Sequence, residues 1–224
     1  MKKVLGFLDR RTKRIYVDPQ LHDSRKTFVT YHEVIHRIVP WQHIEYTEDD
    51  DLTLSLSCDT LFESEANYGA AELLFQCDRF ELEARDYDIS TASALLLSER
   101  YEASCHSSLR RFVERNHRPC ALLVLKPTTR ANADGGTSFL ISHSIQSAPF
   151  TLQFGDPFSH PFVNPDHEIG KIVNNDGRGE ISLSDLKSFC RPCVVESFSN
   201  KYSLFVMIHP KDIPAARRTV LFRS

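Results

Sequence analysis

At Pro119 the chain changes its hydrophobic rhythm, and this change limits what its 224 residues can fold into more than any other feature. Before that point, apolar residues recur at helical spacing over long stretches. After it, short runs rich in Val, Ile and Phe (CALLVLK, TSFLISHSI, CVVESF, YSLFVMIH) are separated by Gly, Pro, Asn and Asp, as in an antiparallel sheet. Helices followed by strands predict an α+β protein: a mainly helical unit with a small sheet over 1–118, then a β-rich module over 119–224. The length suffices for two modest cores or one large one. No internal repeat is visible.

Within the first part, VLGFL (4–8) and IYVD (15–18) flank a polar stretch and predict a β-hairpin. A helix capped by Asp23 or Ser24 should run to Val39 and stop at Pro40. Phe28, His32, Ile35, His36 and Val39 recur on one face of it. Residues 41–59, with the acidic run EDDD, read as an exposed excursion with a strand at LTLSL (52–56). A second helix fits 61–86, with a break near Gln76 to Asp78. Two more are predicted over 90–101 and 104–116, with Ser90 as a cap.

The first helix carries His32-Glu33-Val34-Ile35-His36, an H-E-x-x-H sequence. Residues four apart lie one turn above each other, so both imidazoles can reach one metal ion. Glu33 sits about 100° around the helix from His32, placed to hold a water without ligating. With zinc, that is the donor set of a hydrolase: the metal acidifies a water, and Glu33 takes its proton as general base. Chance gives this pattern in roughly a few per cent of such sequences, but seldom on a helix with a third ligand at hand.

That third ligand must come from elsewhere, because the chain reads R-I-V-P after His36. On the second helix Glu63, Ala66, Asn67 and Ala70 form one stripe, and the alanines would let this helix approach the first closely. Glu63 is therefore the expected third ligand. Asn67, one turn on, is the expected partner for the far nitrogen of a ligand histidine. Glu65 points to the other face and reads as a solvated carboxylate near a helix start.

H-E-V-I-H followed by E-S-E-A-N-Y-G-A-A-E-L-L resembles the ImmA/IrrE family of metallo-endopeptidases over roughly residues 4–118. The resemblance implies a zincin-like (gluzincin-like) fold, with His32, His36 and Glu63 holding Zn2+ and Glu33 as base. Well-known family members cleave helix-turn-helix repressors of mobile elements or DNA-damage regulons, so a repressor is the implied substrate. Tyr31, Gly69 and Phe75-Gln76 depart from the family pattern, at positions that touch packing and helix termination.

A net charge of −3 gives no general attraction to nucleic acid or anionic membrane. No run approaches the roughly 18 apolar residues of a membrane helix. The opening MKKVLGFLDRRTKR is too short in its apolar part for a secretion signal. Six scattered cysteines then read as reduced thiols, and a cytoplasmic protein is expected. The remaining signals are weaker. NNDGRGEISLSD (174–185) has the rhythm of a calcium loop, but a hairpin turn on Asp176-Gly177 suits it better. Cys190 and Cys193 have zinc-knuckle spacing without a second pair, and read as free thiols. Arg110, Arg111, Arg115 and Arg118 suggest a basic strip, more simply a solvated face. His143, His160, His167, His209, Tyr31 and Tyr68 are all open as oxyanion stabilisers. A binding protein that keeps the metal fold and sequesters a repressor or antitoxin is the competing class, against which the intact Glu33 argues.

Overall fold

The computed structural model describes residues 5–9, 11–43, 52–131, 137–175, 177–214 and 216. They form a mixed helix-and-sheet protein of two compact units, Met1–Phe80 with Ser98–Ser104, and Glu81–Leu97 with Cys105–Ser224. Chain order and packing thus divide the molecule differently, since some helical segments before residue 119 cluster with the later sheet.

In the first unit β1 (Gly6–Asp9) pairs antiparallel with β2 (Arg14–Val17), as the hairpin pattern predicts. The Asp9 carboxylate closes the turn by accepting from the backbone N–H groups of Arg11 and Thr12. Phe7 stands opposite Tyr16, and their exposed rings stack 4.9 Å apart. α1 (Asp23–Ile38) follows. Its N-cap is His22 rather than Asp23 or Ser24, with no side-chain cap bond. Asp23 instead lies in the first turn, where its charge suits the exposed N–H groups and meets Lys26 at 3.2 Å. Val39 is extended, as a residue before proline tends to be, and a 3-10 turn spans Pro40–His43.

α2 (Leu52–Leu74) begins earlier than expected: LTLSL is its first turns, not a strand. Leu at every second position mimics strand alternation, and here the longer helix wins. The acidic residues 44–51 lie outside the described residues. The predicted break is present. Gln76 and Cys77 have φ of 54° and 57°, and the Cys77 N–H bonds back to Glu72 O, closing the helix. α3 (Arg79–Ala84), α4 (Thr91–Arg100) and α5 (Cys105–Glu114) follow, and the Ser90 hydroxyl caps α4 by accepting from Ser93 N–H.

The two long helices approach through small residues, because Ala66 and Ala70 are fully buried. A Cβ added at Gly69 would lie 2.7 Å from two side-chain carbons of Ile35. The glycine at this position therefore sets the spacing between α1 and α2. Gly69→Val is expected to destabilise this unit by roughly 1–3 kcal/mol through overpacking. A urea or thermal melt reads the effect, and an unchanged midpoint would refute the close contact.

In the second unit β3 (Ala121–Ala131), β4 (Thr137–Gln146), β5 (Phe162–Val163), β6 (Arg178–Ser184), β7 (Cys190–Ser199) and β8 (Leu204–Pro210) form one antiparallel sheet ordered β5-β4-β3-β8-β7-β6. Ala121, Leu123, Leu125, Val206 and Ile208 face a core completed by Phe150 and Phe154 of α6 (Ala148–Phe154) and Ile169 of α7 (Glu168–Asn174). Leu122, Val124, Phe205 and Met207, alternating with them, are buried too. The two central strands are thus covered on both faces, which explains their unbroken apolar runs. α6, α7, β5 and β6 are too short or too polar for the sequence to announce.

Several weak signals resolve here. Arg178–Ser184 is a ladder strand paired with β7, so 174–185 is not a calcium loop. Gly177, with φ of 69°, joins α7 to β6 rather than two strands, and Asp176 lies outside the described residues. Cys190 is exposed whereas Cys193 is buried, with its thiol pushed up to about 11 by desolvation, so the two do not form a knuckle. Arg111 is buried and pairs with Glu81 at 2.9 Å, while buried Arg118 donates to Tyr87 O. Neither belongs to a solvated or DNA-gripping face. His167 caps α7 by accepting from Ile169 N–H. Among the described residues no helix is long and apolar enough to cross a membrane.

Candidate metal centre

His32 and His36 project from successive turns of α1, and their ring planes meet at 78°. Their Nε2 atoms lie 3.0 Å apart. Glu63 of α2 faces both: Oε2 is 3.3 Å from His32 Nε2, and Oε1 is 3.4 Å from His36 Nε2. Tetrahedral zinc with bonds near 2.0–2.1 Å spaces neighbouring donors about 3.3 Å apart. The triangle of 3.0, 3.3 and 3.4 Å therefore matches what one such ion requires. Among the described residues these three form the sole group of His, Cys, Asp and Glu side chains able to hold a metal. The histidine side chains are 15% exposed and that of Glu63 is 60% exposed, so the triangle is walled on one side and open on the other.

Glu33 does not join the triangle. It is buried, on the flank of α1 that meets the hairpin. There the strand runs very close. A Cβ on Gly6 would lie 2.4 Å from Val29 Cγ1 and 3.6 Å from Glu33 Oε1. Helix α1 thus has two buried sides, one toward α2 at Ile35 and one toward β1 at Val29 and Glu33. The sequence pattern showed only the first.

Asn67 is exposed on α2 and makes no hydrogen bond to either histidine among the described residues. The far nitrogen of His36 is met by a residue the sequence did not single out. Gln42, in the turn after Pro40, sets Oε1 2.8 Å from His36 Nδ1. Its Nε2 donates to Glu65 Oε2 at 2.9 Å, and the Trp41 indole N–H donates to the same oxygen at 2.9 Å. These two donors, Trp41 before Gln42, hold the Glu65 carboxyl below its ordinary pKa. Glu65 is therefore neither idle nor near a helix start, since α2 begins thirteen residues earlier, at Leu52. One signal was legible: a tryptophan just after a helix stop brings an indole N–H that needs an acceptor. Of the other candidates, Tyr31 lies half-buried on α1 and Tyr68 exposed on α2, while the four histidines belong to the second unit.

No curated protein matches the chain. A solved structure from Mycobacterium tuberculosis, described as a transcriptional regulator, shares the fold with a TM-score of 0.52 at 12% identity. The match covers 93% of this chain and 63% of that one, so the chain spans under two thirds of its neighbour's length. The family described as IrrE N-terminal-like domain, peptidase M78, matches residues 1–112, a stretch that contains both histidines, Glu33 and Glu63. The chain belongs to the IrrE N-terminal-like peptidase family M78.

Proposed function

We propose that the chain is a zinc-dependent endopeptidase, in which His32, His36 and Glu63 hold Zn2+ and Glu33 is the general base. The observation that carries this is the donor triangle with zinc-like edges, with Glu33 next to His32 in the chain and outside the triangle. Zinc supplies Lewis acidity, lowering the pKa of water at the site toward neutrality. The chain's own residues do the rest. Glu33 takes the proton of the attacking water and delivers it to the leaving amine. The open side of the triangle admits an extended peptide, and the N-terminal hairpin offers it an edge for strand addition. Asn67, the position the sequence offered for steadying a ligand histidine, bonds to neither ring among the described residues, and at His36 Gln42 takes that part. We read the first 118 residues as a zincin-like metallopeptidase domain in the cytoplasm and 119–224 as a β-rich domain of unassigned role.

The substrate we propose is a helix-turn-helix transcriptional repressor, cut at one or two sites in an accessible linker. Family membership supports this, as does a structural neighbour described as a transcriptional regulator. Direct nucleic-acid binding is not part of the proposal, given a net charge of −3. The test is to incubate the zinc-loaded chain with the repressor encoded beside its gene and read fragments by mass spectrometry. Discrete fragments that vanish with a chelator are expected. Tight binding without cutting would replace the protease by a sequestering protein.

A further inference from the structure

We infer that Gln42 and Glu65 form a positioning pair that fixes the tautomer of His36, so that helix α2 governs this histidine from both of its ring nitrogens. The inference rests on reading His36 as a metal ligand and adds what keeps it ready to be one.

Gln42 is 1% exposed, so its amide must find protein partners for its donors and its acceptor. Its orientation is not free. An ionised carboxylate only accepts, so the –NH2 group must face Glu65, where Nε2 lies 2.9 Å from Oε2. The same –NH2 group also reaches toward Phe62 O at 3.5 Å. The carbonyl oxygen is left facing His36 Nδ1 at 2.8 Å. An amide oxygen only accepts, so Nδ1 must carry the imidazole proton. A neutral imidazole has one such proton, and Nε2 is left with a lone pair directed at His32 and Glu63. Metal-ligating histidines are generally oriented through the far nitrogen in this way.

Glu65 is itself fixed. The Trp41 N–H shares its Oε2 with Gln42, and Trp41 is the only tryptophan of the chain. Residues two apart on a helix point about 200° away from each other. Glu63 and Glu65 therefore leave α2 on nearly opposite sides and still converge on one imidazole. Glu63 meets Nε2 directly, and Glu65 reaches the Nδ1 side through the Pro40–His43 turn and Gln42. Without Glu65 the Gln42 amide can flip and offer N–H to Nδ1, which favours the wrong tautomer.

The test uses the whole chain, 15N-labelled at histidine, with zinc affinity read by chelator competition. In the zinc-free wild type, histidine 15N shifts should show His36 as the Nδ1–H tautomer. Gln42→Ala and Glu65→Ala should each shift His36 toward the Nε2–H form and weaken zinc binding about 10- to 100-fold. Because Glu65 acts through Gln42, the double variant should bind no worse than Gln42→Ala alone. Glu65→Gln keeps an acceptor for the amide and should recover much of the affinity lost in Glu65→Ala. An Nε2–H tautomer at His36 in the wild type overturns the proposal, and so does strictly additive loss in the double variant. If Gln42→Ala fails to fold, the wild-type tautomer and the Glu65 pair of variants still decide. Should His36 show the Nδ1–H tautomer while the wild type binds zinc elsewhere, the ligand reading falls and the Gln42–Glu65 arrangement stands.

Discussion

Glu33→Gln is expected to leave zinc binding and folding intact while slowing peptide-bond cleavage by a factor of about 10² to 10⁴. The substitution keeps the shape of the side chain, so the contacts that bury it between α1 and the hairpin at Gly6 are retained. None of the three donor contacts involves residue 33, so the proposed zinc ligands are untouched. What is lost is the carboxylate proposed as the general base. A carboxamide still orients water but cannot accept its proton, so the chemical step loses its base. The measurement pairs metal content with the rate of fragment formation from the proposed repressor substrate. Equal rates for Glu33→Gln and wild type would remove the general-base role, whereas loss of zinc together with activity would make Glu33 part of the cage.

Much of this site was readable before the fold was known, and the reason is that helical geometry is local. Four-residue spacing alone brings His32 and His36 to one point, and the alanine stripe marks the face of α2 that carries Glu63. The break at Gln76–Cys77 was legible too, because a polar interruption cuts an apolar pattern there. Gln42 was not legible. Its role depends on how a turn after Pro40 folds back under α1, and no periodicity encodes a turn's return path. Glu65 was misjudged for the same reason: facing away from the stripe implies solvent only if nothing comes around to meet it, and Trp41 and Gln42 do. The second unit shows the complementary limit. Central strands buried on both faces announce themselves as apolar runs, but α6 is held by Phe150 and Phe154 within a core assembled from distant segments. Seven residues carry too little pattern to show this alone.

Replacing both histidines, His32→Ala with His36→Ala, is expected to abolish stoichiometric zinc binding. Two of three edges of the donor triangle end on each removed imidazole, so no pair of donors at zinc spacing survives. The loss should exceed the roughly 10- to 100-fold cost of deleting an outer hydrogen-bond partner. Glu63→Gln should come next, since it keeps both imidazoles but exchanges a charged oxygen donor for a neutral one. Glu65→Gln should fall last, because it touches the ion only through Gln42 and His36. Metal analysis after dialysis, with chelator competition for the weaker binders, gives the ranking. Full zinc occupancy in the double histidine variant would move the ion out of this triangle altogether. A Glu65→Gln variant weaker than Glu63→Gln would show that the carboxylate holding zinc was misassigned, since the two glutamates leave α2 on opposite sides and only Glu63 lies within 3.4 Å of both Nε2 atoms.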